Sequence, residues 1–447
     1  MTRDAVIVGA GLSGLVCARR LIDAGVDALV VEARQRVGGR LCNGWVGGAV
    51  VDLGGQWLSV DQPRLLGLAG ALGVRSAPQP RAGRPVLDDG RGLGWFGELA
   101  ATLAQWRAIR RIGRMTRAIP DGMPAEAAGA AALDAIALGP WLAGAIGNPA
   151  ARERIAMHAE LVFAQDAADL SLLDYLARLG ATGGFAPRGP ELPGGGRDHR
   201  FVGGAQGLAL RLADRLGDAV RLGEPVERID AAGAGGGAAL IVRGPAGSHA
   251  ARRVVLALPP ALAARMAPWL PAPLVQLAGA MQRGGVVKCF AAYDRAFWRD
   301  AGLSGEAYRP RGAVRAVVDA SPTGGDAGDA HVLLAFVVGA PATAWRARDP
   351  AVRRAEVLGA LAALLGDAAR TPRDYLEADW AADPWSAGCV ASTPPGALAG
   401  GALWRGGRGG YDRIHLAGTE AAVRWPGYME GAIEAGERAA DEIIAAG

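Results

Sequence analysis

A chain of 447 residues has room for two or three domains of about 150 residues each, which excludes a mini-protein stapled by disulfides. Hydrophobic residues make up 51% and charged residues 21%, a globular composition that fits neither disorder nor a fibrous repeat. Lys+Arg of 48 against Asp+Glu of 44 leaves a net charge of +4, with the signs interspersed in stretches such as 211–227, so nucleic acid is not an expected partner.

In chain order, Ala5-Val6-Ile7-Val8 reads as a buried strand, followed by Gly9-Ala10-Gly11-Leu12-Ser13-Gly14 and a helical pattern closed by Gly25. Ala28-Leu29-Val30-Val31 is the second strand and ends on Glu32, 18 residues past Gly14. This is a full βαβ dinucleotide fingerprint. Its first glycine permits the turn, the second lets backbone approach a pyrophosphate, and the third lets helix and strand pack closely. Two more glycine pairs, in Arg36–Arg40 and Asp52–Trp57, suit backbone crowding a phosphate or flat ring, and Arg40 can neutralise a diphosphate.

From about Arg75 to His199 the pattern turns to Ala/Leu-rich helix, as in Ala100 to Ile112 and Ala151 to Leu179, ending in a Gly/Pro-rich loop at 183–196. That loop is read as a surface loop, with a mobile lid as the alternative. Phe201-Val202-Gly203-Gly204 leads into an amphipathic helix with Leu208, Leu212 and Leu216 at spacing four. Strand-like runs follow at 226–229, 240–242 and 254–258, then a mixed block from about Leu277 to Thr371. Ile414 to Glu420 is a strand entering a glycine turn, and Gly427 to Ile444 is the closing helix. The dinucleotide domain is therefore expected in three separated pieces, with two intervening blocks forming another domain.

Of the 48 basic residues only Lys288 is lysine, leaving 47 arginines. Drift of solvated cations to arginine accounts for the 47 and not for the exception, because arginine cannot replace a compact, titratable ammonium. The four cysteines, Cys17, Cys42, Cys289 and Cys389, form no C-x-x-C pair, so a reduced cytoplasmic protein is expected, and a dithiol reductase is excluded. No signal peptide or membrane span is visible, and the five histidines lack metal-ligand spacing.

The chain resembles a flavin-dependent amine oxidase of the monoamine oxidase type along essentially its whole length. The likeness is carried by the fingerprint with Glu32-Ala33-Arg34-x-Arg36-x-Gly38-Gly39-Arg40, by Asp52 to Trp57, and by Phe201 to Gly204. Val286-Val287-Lys288-Cys289, Trp380 with Ser386-Ala387-Gly388-Cys389, and Ala417 to Glu420 through Trp425-x-Gly427-Tyr428-Met429-Glu430-Gly431 extend it. The resemblance implies an α/β fold with an α+β part: a discontinuous, Rossmann-like FAD-binding domain of glutathione-reductase type (1–76, 200–276 and 376–447) and a substrate domain (77–199 and 277–375) with a six-stranded sheet and helices.

Carried over by resemblance, Gly9, Gly11 and Gly14 take the FAD pyrophosphate and Glu32 the adenosine ribose. Arg34, Gly39, Arg40, Gly55 and Gln56 follow the diphosphate and ribityl chain, and Val226 meets adenine. Gly418 and Glu420 sit near the ribityl and phosphate end, and the closing helix at Tyr428 and Met429 aims its amides at the isoalloxazine. Lys288 matches the lysine that holds a water at flavin N5. Cys389 matches a cysteine that in some members forms a thioether to the flavin and that is otherwise a small packing residue. Tyr428 supplies one aromatic wall of the substrate cage, but Val390 stands where the second is usual, which implies a wider pocket for a bulkier alicyclic or secondary amine. Trp380 and Trp385 adjoin the same region.

The implied chemistry is oxidation of a primary or secondary amine to an imine, hydrolysed to aldehyde or ketone, with O2 reduced to H2O2. A small-molecule amine and O2 are the partners expected, with no nucleic acid and no membrane, and a homodimer is one open assembly. An L-amino acid oxidase, needing a cation for the substrate carboxylate, and a flavin-dependent dehydrogenase or desaturase of a polycyclic substrate remain alternatives. A silent FAD scaffold is disfavoured by Lys288 and Tyr428.

Overall fold

A computed structural model describes residues 2–184, 197–231, 239–324, 330–386, 388–400 and 413–446. Most of the loop expected at 183–196 lies outside the described residues.

The run Ala5 to Val8 lies in the strand Thr2–Val8, at the centre of a seven-stranded sheet. Its parallel partners are Ala28–Glu32 on one side and Gly247–Leu256 on the other. Val220–Leu222 and Ile414–Leu416 extend the parallel part, and Leu240–Gly244 and Arg228–Asp230 add an antiparallel flank. Strand alternation divides the core. Ala5 and Ile7 face the helices Leu12–Asp23, Gln206–Leu216 and Met429–Ala445, whereas Val6 and Val8 face Met266, Leu274 and Leu277 on the opposite side. Each buried Val, Ile, Leu or Met side chain among these contributes roughly 1.5–3 kcal/mol on folding, so both faces drive the same layered arrangement.

A second, six-stranded sheet has the order Asp374–Asp379, Val286–Tyr293, His331–Val338, Val314–Asp319, Leu303–Tyr308, Arg84–Leu87. Val287, Cys289, Ala291 and Tyr293 point to one face, packed with Trp298, Trp345 and Leu361 of the helical side. The alternate residues, Phe290 and Ala292, pack on Val46 and Val51 from the first part of the chain. Lys288 therefore shares the face turned toward the dinucleotide unit.

Trp95–Thr116, Pro149–Phe163 and Leu172–Ala181 form a helical cluster around Ile112, Ile155 and Leu176. The single helix expected across 151–179 is two helices. Ala164 turns left-handed at φ 51°, and Ser171 starts the second by accepting the Asp174 N–H at 3.3 Å. No helix among the described residues is long and apolar enough to cross a membrane, and all four cysteines are free thiols.

Candidate active site

One cavity begins at the carboxyl ends of the central parallel strands, where such sheets bind ligands. Gly9 ends the first strand at φ 106°, a conformation that favours glycine. A Cβ on Gly14 would lie 2.0 Å from the Gly9 carbonyl oxygen, so only hydrogen lets the helix pack so close to the turn. The helix begins at Gly11 with no side-chain cap, leaving its amino end open to an anion. Glu32 accepts the Ala10 N–H at 2.8 Å and the Arg34 N–H at 3.0 Å, which aims its carboxylate along the cavity wall. Glu224 and Val226 complete that end.

Beyond it, Gly39, Arg40, Gly55 and Gln56 line the passage. Arg40 is closed on Glu420 through both oxygens, at 2.6 and 3.1 Å, and donates to the Cys389 carbonyl at 2.8 Å. Burial opposes the charge on Arg40, but Glu420 outweighs it and holds the guanidinium more firmly protonated than usual. Arg34 is similarly tied, to Glu32, Asp383 and Ser386. The open cradle thus falls to the helix end and glycine backbone, with the arginines fastening distant segments around it.

Lys288 is buried in the strand Val286–Tyr293, and its register partner on the next strand is Phe336. Antiparallel partners share a face, so both reach the cavity. Lys288 Nζ donates to Asp52 O at 2.8 Å, Gly54 O at 2.7 Å and Gln56 Oε1 at 2.5 Å. Three acceptors match the three hydrogens of an ammonium. Burial lowers its pKa to about 8 against the attraction of Asp52. Burial likewise raises Asp52 to about 6, opposed by the hydrogen bond from the Ala205 N–H and by the Lys288 charge.

Around Lys288 the walls are aromatic and aliphatic. Trp57 stacks on Phe336 with centroids 5.8 Å apart and is held by Nε1 to Gln79 Oε1 at 3.0 Å. Trp380 lines the same space and donates to Leu53 O at 2.7 Å. Trp385, Cys389, Val390, Gly418, Tyr428 and Met429 also line it, as do Leu161, Val162, Ala164 and Arg197. Tyr428 precedes the closing helix and meets Trp425 edge to face at 5.2 Å. Burial pushes the hydroxyl of Tyr428 and the thiol of Cys389 up from their ordinary values, although Arg40 and Lys288 pull the thiol down.

Of the residues singled out in the sequence, Gly14 and Glu420 are not on the cavity wall. Gly14 is at the helix-to-turn contact, and Glu420 stands behind Arg40. The others, Gly9, Gly11, Glu32, Arg34, Gly39, Arg40, Gly55, Gln56, Val226, Lys288, Trp380, Trp385, Cys389, Val390, Gly418, Tyr428 and Met429, all line one space. Sequence reasoning missed Phe336, Arg197 and the Leu161–Val162 wall. It took Trp57 only as part of a glycine-rich cofactor stretch. For Phe336 a signal existed, its alternation with buried strand residues; for Arg197 there was none among 47 arginines.

These residues fit a dinucleotide such as FAD: an open helix end for the diphosphate, a strand-end carboxylate for ribose hydroxyls, and continuation of the cavity into a mostly apolar chamber beside one ammonium. Fold and site together define a flavoprotein oxidoreductase. The family model for flavin containing amine oxidoreductases matches residues 12–444, and the chain belongs to that family. It is 34% identical to a putative flavin-containing monoamine oxidase AofH of Mycobacterium tuberculosis, over 99% of this chain and 97% of that protein. The structure is similar to wild-type putrescine oxidase bound to putrescine, with a TM-score of 0.90 at 30% identity over 100% of this chain and 99% of that one. It is also similar to cyclohexylamine oxidase from Brevibacterium oxydans, with a TM-score of 0.89 at 28% identity and the same coverage. The chain is an enzyme that uses FAD to oxidise small-molecule amines.

Proposed function

We propose that the protein oxidises a primary or secondary amine to an imine, which water hydrolyses to an aldehyde or ketone, with O2 as acceptor and H2O2 as product. The observation that carries the reading is the continuity of one cavity, lined by Gly9, Gly11 and Glu32 at one end and by Lys288, Phe336 and Tyr428 at the other. Bound FAD supplies the acceptor for the electrons and hydrogen leaving the carbon beside the amine nitrogen. The chain's residues bind, orient and exclude water. Phe336, Trp57 and Tyr428 wall the reacting end and favour the uncharged amine over its ammonium form. Val390, smaller than an aromatic ring, leaves room for an alicyclic or secondary amine.

Lys288 is the residue that holds the water next to the reacting centre. Two backbone carbonyls fix its ammonium, and the Gln56 side chain is the acceptor that can turn aside to free one hydrogen for that water. The division into an FAD-binding unit (1–76, 200–276, 376–447) and a substrate unit (77–199, 277–375) is supported by the sheets: all seven strands of the first fall in the former segments. Four free thiols support a reducing, cytoplasmic setting. A peroxide assay over aliphatic, alicyclic and arylalkyl amines, in air and with artificial acceptors, tests the activity. Peroxide is expected with amines in air; turnover confined to artificial acceptors would replace the oxidase by a dehydrogenase.

A further inference from the structure

We propose that the amine-binding end of the cavity recognises an anionic group through Arg197, so that the preferred amine also carries a carboxylate. This rests on the amine-oxidase reading and narrows its substrate class. Arg197 lines the same cavity as Lys288 and Tyr428, and its guanidinium carbon lies 5.6 Å from the centre of the Trp57 ring. Lys288 Nζ lies 5.6 Å from the centre of Phe336, the ring stacked on Trp57. The two cations therefore border one aromatic pair, one on each ring.

Among the described residues, no acidic side chain on the cavity wall beside Arg197 matches its positive charge. The acidic ones lining the cavity among the described residues are Glu32 and Glu224. Both belong to the nucleotide end, where the Glu224 N–H donates to Glu32 O at 2.8 Å. Glu306, the carboxylate whose field reaches Arg197, is bound by Arg81 Nε at 3.2 Å, and Arg197 makes no ion pair among the described residues. Two guanidinium groups around one carboxylate leave an excess positive charge, and Arg197 is the member that opens on the cavity. Its polar neighbours, the Tyr308 and Tyr428 hydroxyls, do not neutralise it.

Such a guanidinium, braced against an indole face, offers a planar fork of donors that pairs with a carboxylate. A diamine meets the opposite situation, since its second ammonium would face Arg197 and Lys288 with no carboxylate of the described residues on that wall. The anion is the α-carboxylate of an amino acid or the distal one of an ω-amino acid; the recognition chemistry is the same, and the assay separates them.

The test uses the holoenzyme and four substrates of one chain length: an aliphatic amine, its ω-amino acid, its α-amino acid and its diamine. One of the two amino acids should exceed the plain amine in kcat/KM by about tenfold to a hundredfold, mainly through KM, and the diamine should be the poorest. In Arg197→Gln the ratio of amino acid to plain amine should fall to about one, and Arg197→Lys should restore part of it. The aliphatic carboxylate of that length, which has no amine to react, should perturb the flavin absorbance of the wild type with an affinity about tenfold or more above that for Arg197→Gln. The proposal is overturned if the plain amine or the diamine equals both amino acids, or if Arg197→Gln lowers all substrates by one factor. If no amine is oxidised at all, the amine-oxidase reading fails, and the carboxylate titration still decides the role of Arg197.

Discussion

At the scale of the residue, the saturation of the Lys288 ammonium by two carbonyls and the Gln56 side chain requires the protonated form, while burial lowers its pKa to about 8. The charged form is present below that value and is lost as pH rises through it. Oxygen-dependent reoxidation of the enzyme, a half-reaction containing no substrate amine, should therefore slow as pH rises through about 8. In Lys288→Met that limb should be absent, FAD should remain bound, and reoxidation should be slower by about tenfold or more. Stopped-flow reoxidation across pH checks both, and a pH-independent wild-type rate would remove Lys288 from the mechanism. Cys389 carries a second expectation: burial favours its neutral thiol despite Arg40 and Lys288, so acid precipitation should release yellow FAD into the supernatant. Colour held in the pellet would mean a covalent thioether. Lys288 was legible because one lysine among 48 basic residues breaks a compositional rule. Arg197 was not, because an arginine facing a cavity and one facing water look alike in a sequence.

At the scale of the element, the strand–glycine turn–helix unit at 2–23 was readable because its period, its glycines and its strand-end acid agree with one another. Its tolerance is narrow. Gly14→Ala places a methyl 2.0 Å from the Gly9 carbonyl oxygen, and the backbone shift needed should cost about 1–3 kcal/mol and open the phosphate turn. The variant should purify with less bound flavin and a lower Tm; full flavin occupancy at unchanged Tm would show that the turn has slack. Strand alternation likewise carries Lys288 and Phe336 to one face, but only the pairing register puts them side by side, and register is a long-range property that no single segment encodes. The split of the helix expected over 151–179 was hidden for a related reason. Residues 164–171 mix three alanines and a leucine with Gln165, Asp166, Asp169 and Ser171 but hold no glycine or proline to mark a stop, and the break is decided by packing in the helical cluster and by the Ser171 cap.

At the scale of the molecule, the active site is a seam between two sheets. The first sheet supplies the nucleotide cradle from strand ends and a helix end. The second supplies Lys288, whose ammonium grips the 52–56 segment, which follows the two-stranded Asn43–Val46/Ala49–Asp52 hairpin of the first part of the chain. The two returns of the chain to the first sheet could be read from where strand patterns recur, whereas which face of the second sheet meets it could not, since both faces are apolar. The central claim is that this seam joins bound FAD to an amine in one continuous cavity. Its most direct test is anaerobic mixing of the purified yellow holoenzyme with amines, following the flavin absorbance. Bleaching by at least one amine, with colour restored on admission of air and peroxide formed in equal amount, is the result predicted; a flavin that stays oxidised with every amine tried would contradict the account.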